Sequence, residues 1–208
     1  MSLTFFFFFT EVVDFNLLGI FFVFAGDDKT LRFYNVHTRQ VITSVPLGIM
    51  ARTCDYSPGG HLLAVGFGGR VGRGKEKGGG VLRLYSADPH ASKGIQKLDE
   101  KTDAKEWISD VKFSADGNTL AVGAHDCKIY IYTVETGTGG SAKLKLRSTF
   151  AKHNSVINHL DLSADGRFMQ SNCSAYELLF CDTTTGKQIT SATELRDVKW
   201  STWTCTLG

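Results

Sequence analysis

Proline is scarce in this 208-residue chain, three against 22 glycines, so its turns rely on glycine and short polar residues rather than on Pro-rich linkers. Charge of one sign is also lacking. The 23 basic and 21 acidic residues leave a net +2, which provides no bulk field for nucleic acid, and any basic contact must be local. The five cysteines, Cys54, Cys127, Cys173, Cys181 and Cys205, are odd in number, widely spread and without a C-x-x-C pair. They outline neither a disulfide framework nor a zinc knuckle and read as free thiols. Apolar runs with a 3.6-residue period are nearly absent, which excludes a helical bundle. The 42% hydrophobic content is ordinary for a folded domain.

One long apolar stretch does exist, FFFFFTEVVDFNLLGIFFVF over residues 5–24. About 20 apolar residues would span a bilayer. Glu11, Asp14 and Asn16 interrupt it, however, and an Asp near the centre of a membrane helix costs roughly 2.5–3.5 kcal/mol. No basic segment precedes it and no small-residue cleavage pattern follows, so neither a signal peptide nor a membrane partner is expected. Residues 1–25 read as an atypical Phe-rich start.

Residues 67–80, FGGRVGRGKEKGGG, contain a G-x-x-x-x-G-K match from Gly69 to Lys75. A phosphate loop needs a Ser or Thr after the lysine for magnesium, and a helix whose amides face the anion. Here Glu76 follows, then three glycines and the β-rich run VLRLYS. Nucleotide binding is not expected.

A repeated unit explains more. CDYSPGGHLLAVG (54–66), VKFSADGNTLAVG (111–123) and LDLSADGRFMQSN (160–172) each read as two strands joined by a Ser-x-x-Gly turn. A turn and third strand follow in GDDKTLRFYN, GGGVLRLYS, AHDCKIYIYT and SAYELLFCD, ending at Tyr34, Tyr85, Tyr132 and Cys181. Those ends are 51, 47 and 49 residues apart. A fourth strand recurs in RQVITSV, GIQKLDE, KLKLRST and KQITSAT. Four short strands in each period of about 50 residues mark β-propeller blades, which stack because one blade cannot bury both faces alone.

The order of turn, strand, turn Asp and strand ending in an aromatic is that of WD repeats. The expected fold is all-β, an incomplete WD-type propeller of about three full four-stranded blades plus two partial ones. The chain opens within a blade and closes on DVKWSTWTCTLG, read as the first strand of another. Residues 26–208 would form a segment of a larger tandem propeller, the remaining blades coming from the same or a neighbouring chain.

KEWISDVKFSADGNTLAVGAHDCKIYIYTV (105–134) and the stretch from Lys152 to Gly208, with INHLDLS and WSTWTC, resemble the WD-repeat region of the echinoderm microtubule-associated protein-like (EMAP-like) family. The resemblance runs from about Asp27 to Gly208. It implies a non-enzymatic structural or scaffolding protein that contacts tubulin or microtubules in the cytoplasmic cytoskeleton. Because the family is often used in axonemes, it also implies axonemal partners and a place in the cilium or flagellum. The alternative is a generic WD-type adaptor in a regulatory complex.

WD repeats carry an internal framework of a His, a turn Asp and an aromatic. By position, His153 takes the His site of the last unit, Asp28 and Asp126 take the turn site, and Tyr34, Tyr85 and Tyr132 replace the usual Trp. Ala104 stands where the third unit would have its His. These are structural assignments. His125 beside Asp126 has no third ligand at a useful spacing, and no catalytic, metal-binding or cofactor-binding constellation is expected. The Gly-rich stretch falls between a second and a third strand as an elongated hairpin loop. Its cations, Arg70, Arg73, Lys75 and Lys77, are the candidate contact for an acidic partner such as tubulin.

Overall fold

The computed structural model describes residues 12–15, 21–68, 80–202, 204 and 205. Four antiparallel four-stranded sheets follow one another along the chain. The first holds β1 (Val12–Phe15), β2 (Phe21–Ala25), β3 (Thr30–Asn35) and β4 (Val41–Pro46). The second holds β5 (Ala51–Tyr56), β6 (Leu62–Phe67), β7 (Leu82–Ser86) and β8 (Lys97–Lys101). The third holds β9 (Ile108–Phe113), β10 (Thr119–Ala124), β11 (Ile129–Thr136) and β12 (Ala142–Phe150). The fourth holds β13 (Ile157–Leu162), β14 (Phe168–Cys173), β15 (Leu178–Asp182) and the short β16 (Gln188–Ile189).

Strand order equals chain order in every sheet, and the leading strands pack side by side, β1 on β5, β5 on β9 and β9 on β13. This is the partial propeller that the repeat predicts. The first sheet has four strands because Val12–Phe15 pairs with β2, from Val12 opposite Ala25 to Phe15 opposite Phe22. The sequence reading had opened the chain within a blade.

Period-2 alternation lets one strand serve two cores. In β6, Leu63, Val65 and Phe67 join a core with Val23, Leu31 and Phe33 of the first sheet. The intervening Leu62 and Ala64 join a core with Ile108, Val111 and Val122 of the third. β10 repeats the arrangement, with Leu120, Val122 and Ala124 facing back and Ala121 facing Ile157, Leu160 and Met169 of the fourth. Every residue of β6 and β10 is therefore buried, whereas the outer strands β4 and β8 carry no buried residue. Burying a large apolar side chain is worth about 1.5–3 kcal/mol, so stacking of neighbouring sheets is the main source of stability.

The repeat extends to backbone irregularities. Where β3 pairs β4, β7 pairs β8 and β11 pairs β12, the register shifts between Phe33 and Tyr34, Leu84 and Tyr85, and Ile131 and Tyr132. A bulge at the same tyrosine in three sheets bends the outer edge identically each time.

The last segment departs from expectation. After a short helix, α1 (Ala192–Leu195), no further strand is formed among the described residues. Trp200 instead bridges Ser163 in antiparallel fashion, with Ala164 N–H bonded to the Lys199 carbonyl and Ser201 N–H to the Leu162 carbonyl. The leading edge of β13 offers unpaired backbone groups, and this segment satisfies them. No helix among the described residues is long and apolar enough to cross a membrane.

Candidate functional site on the turn face

The turns between second and third strands and the connections between sheets share one face. Leu47 N–H bonds the Lys29 carbonyl, Gly68 N–H the Met50 carbonyl, Gly80 N–H the Ala104 carbonyl, His125 N–H the Trp107 carbonyl and Ser174 N–H the Val156 carbonyl. Each hydrogen bond ties a connection to a turn, so the loops form a continuous rim.

The candidate cations Arg70, Arg73, Lys75 and Lys77 lie outside the described residues. The described flanks of their loop sit on this rim. A Cβ on Gly68 would stand 2.5 Å from Trp107 Cβ, and one on Gly80 would collide with the Glu106 carbonyl, so both glycines permit close approach to the 104–107 connection. The stretch leads into a strand, Leu82–Ser86, rather than into the helix that a phosphate loop requires.

Beside the loop flanks, Arg52 joins three sheets. Its Nη1 lies 3.0 Å from Asp27 Oδ1 in the β2–β3 turn, its Nε–H donates to the Gly68 carbonyl at 3.0 Å, and its guanidinium lies 4.8 Å from the centre of the Trp107 ring. Trp107 in turn stacks on His125 at 5.5 Å. The rim thus presents a half-buried cation and aromatic beside Gly68.

The framework residues divide. Asp28 is exposed; it accepts the Thr30 N–H and pairs with Arg32 at 2.5 Å, so it shapes its own turn rather than a buried network. Tyr34 stacks on Phe22 with centroids 5.0 Å apart, and Tyr85 is buried among apolar side chains between the first two sheets. Asp126 accepts the Lys105 N–H at 2.9 Å and the Tyr130 hydroxyl at 2.7 Å through Oδ2. The Lys105 amide therefore occupies the role left open by Ala104. Tyr132 is buried and donates its hydroxyl to Asp103 at 2.8 Å; burial, then Asp103, pushes the phenol well above its usual range. Asp126 is thus engaged in turn chemistry and not in a relay with His125.

His153 has the most elaborate surroundings. Its ring is fully buried, edge-on to Phe150 at 5.8 Å, with Nε2 2.7 Å from Ser171 Oγ in β14 and Nδ1 3.4 Å from Glu177 Oε2. Burial holds the imidazole below its usual pKa against the opposing pull of Glu177. Glu177 is set at about 2, chiefly by the Asn154 N–H and side-chain amide and then by the Cys173 thiol. Comparable backbone bonds, Ala124 N–H to Lys128 and Cys173 N–H to Glu177, align the two turns and set Glu177 two residues beyond the position of Asp126. Sequence reasoning missed Glu177, Ser171, Tyr130 and Asp103, because it sought the acceptor only at the usual turn site.

Residues 19–208 match the family model described as echinoderm microtubule-associated protein second beta-propeller. The 77 kDa echinoderm microtubule-associated protein of Strongylocentrotus purpuratus is 46% identical over 187 residues, covering 90% of this chain and 25% of its own length. Echinoderm microtubule-associated protein-like 2 of Mus musculus is 37% identical over 187 residues, 90% of this chain and 26% of that protein. Echinoderm microtubule-associated protein-like 3 of Homo sapiens is 32% identical over 188 residues, 90% of this chain and 19% of that protein. The chain spans between 19% and 26% of the length of these three relatives.

Proposed function

Since this chain belongs to the echinoderm microtubule-associated protein-like family, we propose that it is part of a propeller that binds tubulin or microtubules as a non-enzymatic scaffold of the cytoskeleton. Family membership over residues 19–208 carries this reading. The rim of Arg52 and Trp107 supports it locally, because Gly68 and Gly80, the described neighbours of residues 69–79 in the chain, lie against the 104–107 connection. Arg70, Arg73, Lys75 and Lys77 would meet the acidic surface of tubulin, in a contact that weakens with salt. The remaining blades would come from the same polypeptide or a neighbouring chain. The finer setting we propose is the ciliary axoneme, with axonemal partners.

The test is co-sedimentation of a full-length protein containing this chain with stabilised microtubules over a salt series, beside a variant with all four cations changed to Ala. Pelleting that falls with salt and is lost in the variant supports both the function and the contact. Unchanged pelleting of the variant keeps the function and removes the loop from it. No pelleting at low salt overturns the microtubule reading in favour of an adaptor for another protein. A tagged protein that decorates cytoplasmic microtubules and never axonemes would overturn the ciliary setting.

A further inference from the structure

We propose that His153, Cys173 and Glu177 form a site for a single borderline divalent cation, zinc by its ligand chemistry, at the corner joining the third and fourth sheets. The three ligand atoms, Nδ1, Sγ and a carboxylate oxygen, lie within 4.8 Å of one another. Cys173 Sγ is 3.2 Å and His153 Nδ1 is 3.4 Å from the same oxygen, Glu177 Oε2. Zinc bonds of about 2.0–2.3 Å arranged tetrahedrally put these ligand atoms about 3.3–3.6 Å apart, so the two contacts to Glu177 already suit an ion and only the wider separation within the group has to close.

An independent observation concerns the ring itself. The His153 side chain is wholly buried, yet Nδ1 has no hydrogen-bond partner. The other nitrogen explains why. Ser171 Oγ lies 2.7 Å from Nε2 and 3.5 Å from the Leu179 carbonyl, an arrangement that suits the tautomer with its proton on Nε2 and Oγ as the acceptor. Nδ1 then carries a bare lone pair aimed at Cys173 and Glu177. A ligating histidine is oriented in this way, its distal N–H held by an outer acceptor. Left without a cation, a buried lone pair facing a carboxylate costs free energy.

The third sheet shows that this is no general property of the repeat. Ala104, Ala124 and Lys128 occupy the places of His153, Cys173 and Glu177, and the corresponding corner is closed by Asp126 and an amide. Among the described residues only the fourth sheet has a soft sulfur, an imidazole and a carboxylate converging, the mixture that suits zinc rather than calcium or magnesium. Glu177 is about one-quarter exposed, which gives the ion a route in and leaves a fourth position for water. On binding, the Cys173 thiol releases its proton to solvent and a sulfur–metal bond forms. Since His153 lies between β12 and β13 and the other ligands flank the β14–β15 turn, the ion would clip the inter-sheet connection to the fourth sheet.

The test uses the purified 208-residue chain titrated with zinc against a chromophoric chelator, and with cobalt for its thiolate charge-transfer absorption. One ion per chain is expected, with a sulfur–cobalt band that survives in Cys127→Ser and disappears in Cys173→Ser. Glu177→Gln keeps the size of the side chain and should weaken zinc by more than about 100-fold, while Ser171→Ala, acting only through the ring, should weaken it by about 10- to 100-fold. Circular dichroism of each variant without metal identifies those that fold, and the comparison is made on these. Stoichiometry below one ion per chain at micromolar zinc, or a cobalt band unchanged in folded Cys173→Ser, overturns the proposal and leaves the corner a hydrogen-bonded framework only.

Discussion

Asp55 on β5 accepts the backbone N–H of Phe113 on β9 through Oδ2 at 2.6 Å, across 58 residues and one sheet boundary. The same device recurs around the leading strands. Asp110 on β9 accepts the Leu160 N–H of β13 at 2.9 Å, and Asp161 on β13 accepts the Thr202 N–H at 3.0 Å. Ser114 N–H points toward β10, to the Thr119 carbonyl, so the N–H of its neighbour Phe113 points the other way, where no strand of its own sheet can meet it. An aspartate from the preceding sheet supplies the acceptor. Asp55→Ala should cost about 1.5–3 kcal/mol, the range for a hydrogen bond to a charged group, and Asp55→Asn distinctly less. Urea unfolding of the chain measures both, and equal losses would show that a neutral acceptor recovers nothing and that the carboxylate charge carries the whole effect.

Asp110 is one of two buried members of that series, with Asp161, and it is flanked by His159 at 4.0 Å and accepts the Val111 N–H as well. Burial pushes its carboxyl above the usual range, against Lys112 and the two amides. A carboxyl raised in the folded state favours folding at pH below its unfolded value, and that benefit is lost as pH rises through the folded value. Ionised Asp110 is therefore a burden at neutral pH. The stability of Asp110→Asn relative to the parent chain should improve steadily from about pH 4 to 7. A difference flat with pH, in melting temperatures across that range, would contradict the shift.

Much of this architecture is legible in the sequence, and the parts that are not share a cause. Tyr34, Tyr85 and Tyr132 recur at one period because packing between sheets imposes the same local pattern each time, and local patterns can be read. Tyr132 meets Asp103, His153 meets Glu177, and Asp55 meets Phe113 through contacts that depend on how one sheet lies on another. No short-range spacing encodes these. Glu177 shows the limit clearly. A carboxylate was sought at the place of Asp126, but Ala175 stands there, and the side chain two residues later reaches the same amide of the connection. Asp28 shows the converse, a matching letter in the motif whose side chain stays at the surface.

Gly123 illustrates a packing requirement that the motif AVG only hints at. A Cβ there would stand 2.7 Å from Ile157 Cγ2 on the next sheet, and Gly66 in the preceding AVG has the same relation to Ile108. Gly123→Ala should destabilise by about 1–3 kcal/mol through overpacking, and Ile157→Ala, which removes Cγ2, should cost less on top of Gly123→Ala than it does alone. Gly94 is the control, since a Cβ there meets nothing, although its φ of +63° imposes the backbone cost of about 1–2 kcal/mol common to L-residues in that region. Calorimetric melting of the four variants distinguishes the cases. An equal cost of Ile157→Ala with and without Gly123→Ala would place the strain elsewhere.

Arg52 should resist the conservative exchange to lysine. Its planar group donates Nε–H to the Gly68 carbonyl while Nη1 faces Asp27 and the guanidinium lies over Trp107. An ammonium can satisfy one of these positions at a time, because it is a point charge without a fork or a face. Arg52→Lys should therefore lose most of what Arg52→Ala loses, about 1–2 kcal/mol in total, with a coupling to Trp107→Phe of about 0.5–1 kcal/mol in a double-mutant cycle. Full recovery by lysine would reduce the contact to simple charge. The outcome also bears on the candidate cations, since the Gly68 carbonyl that Arg52 holds immediately precedes residues 69–79 in the chain. A variant that releases Gly68 while keeping Arg70, Arg73, Lys75 and Lys77 changes only where those cations are presented. Microtubule pelleting weakened by Arg52→Lys, with the loop sequence intact, would mean that the position of the charges matters beyond their number.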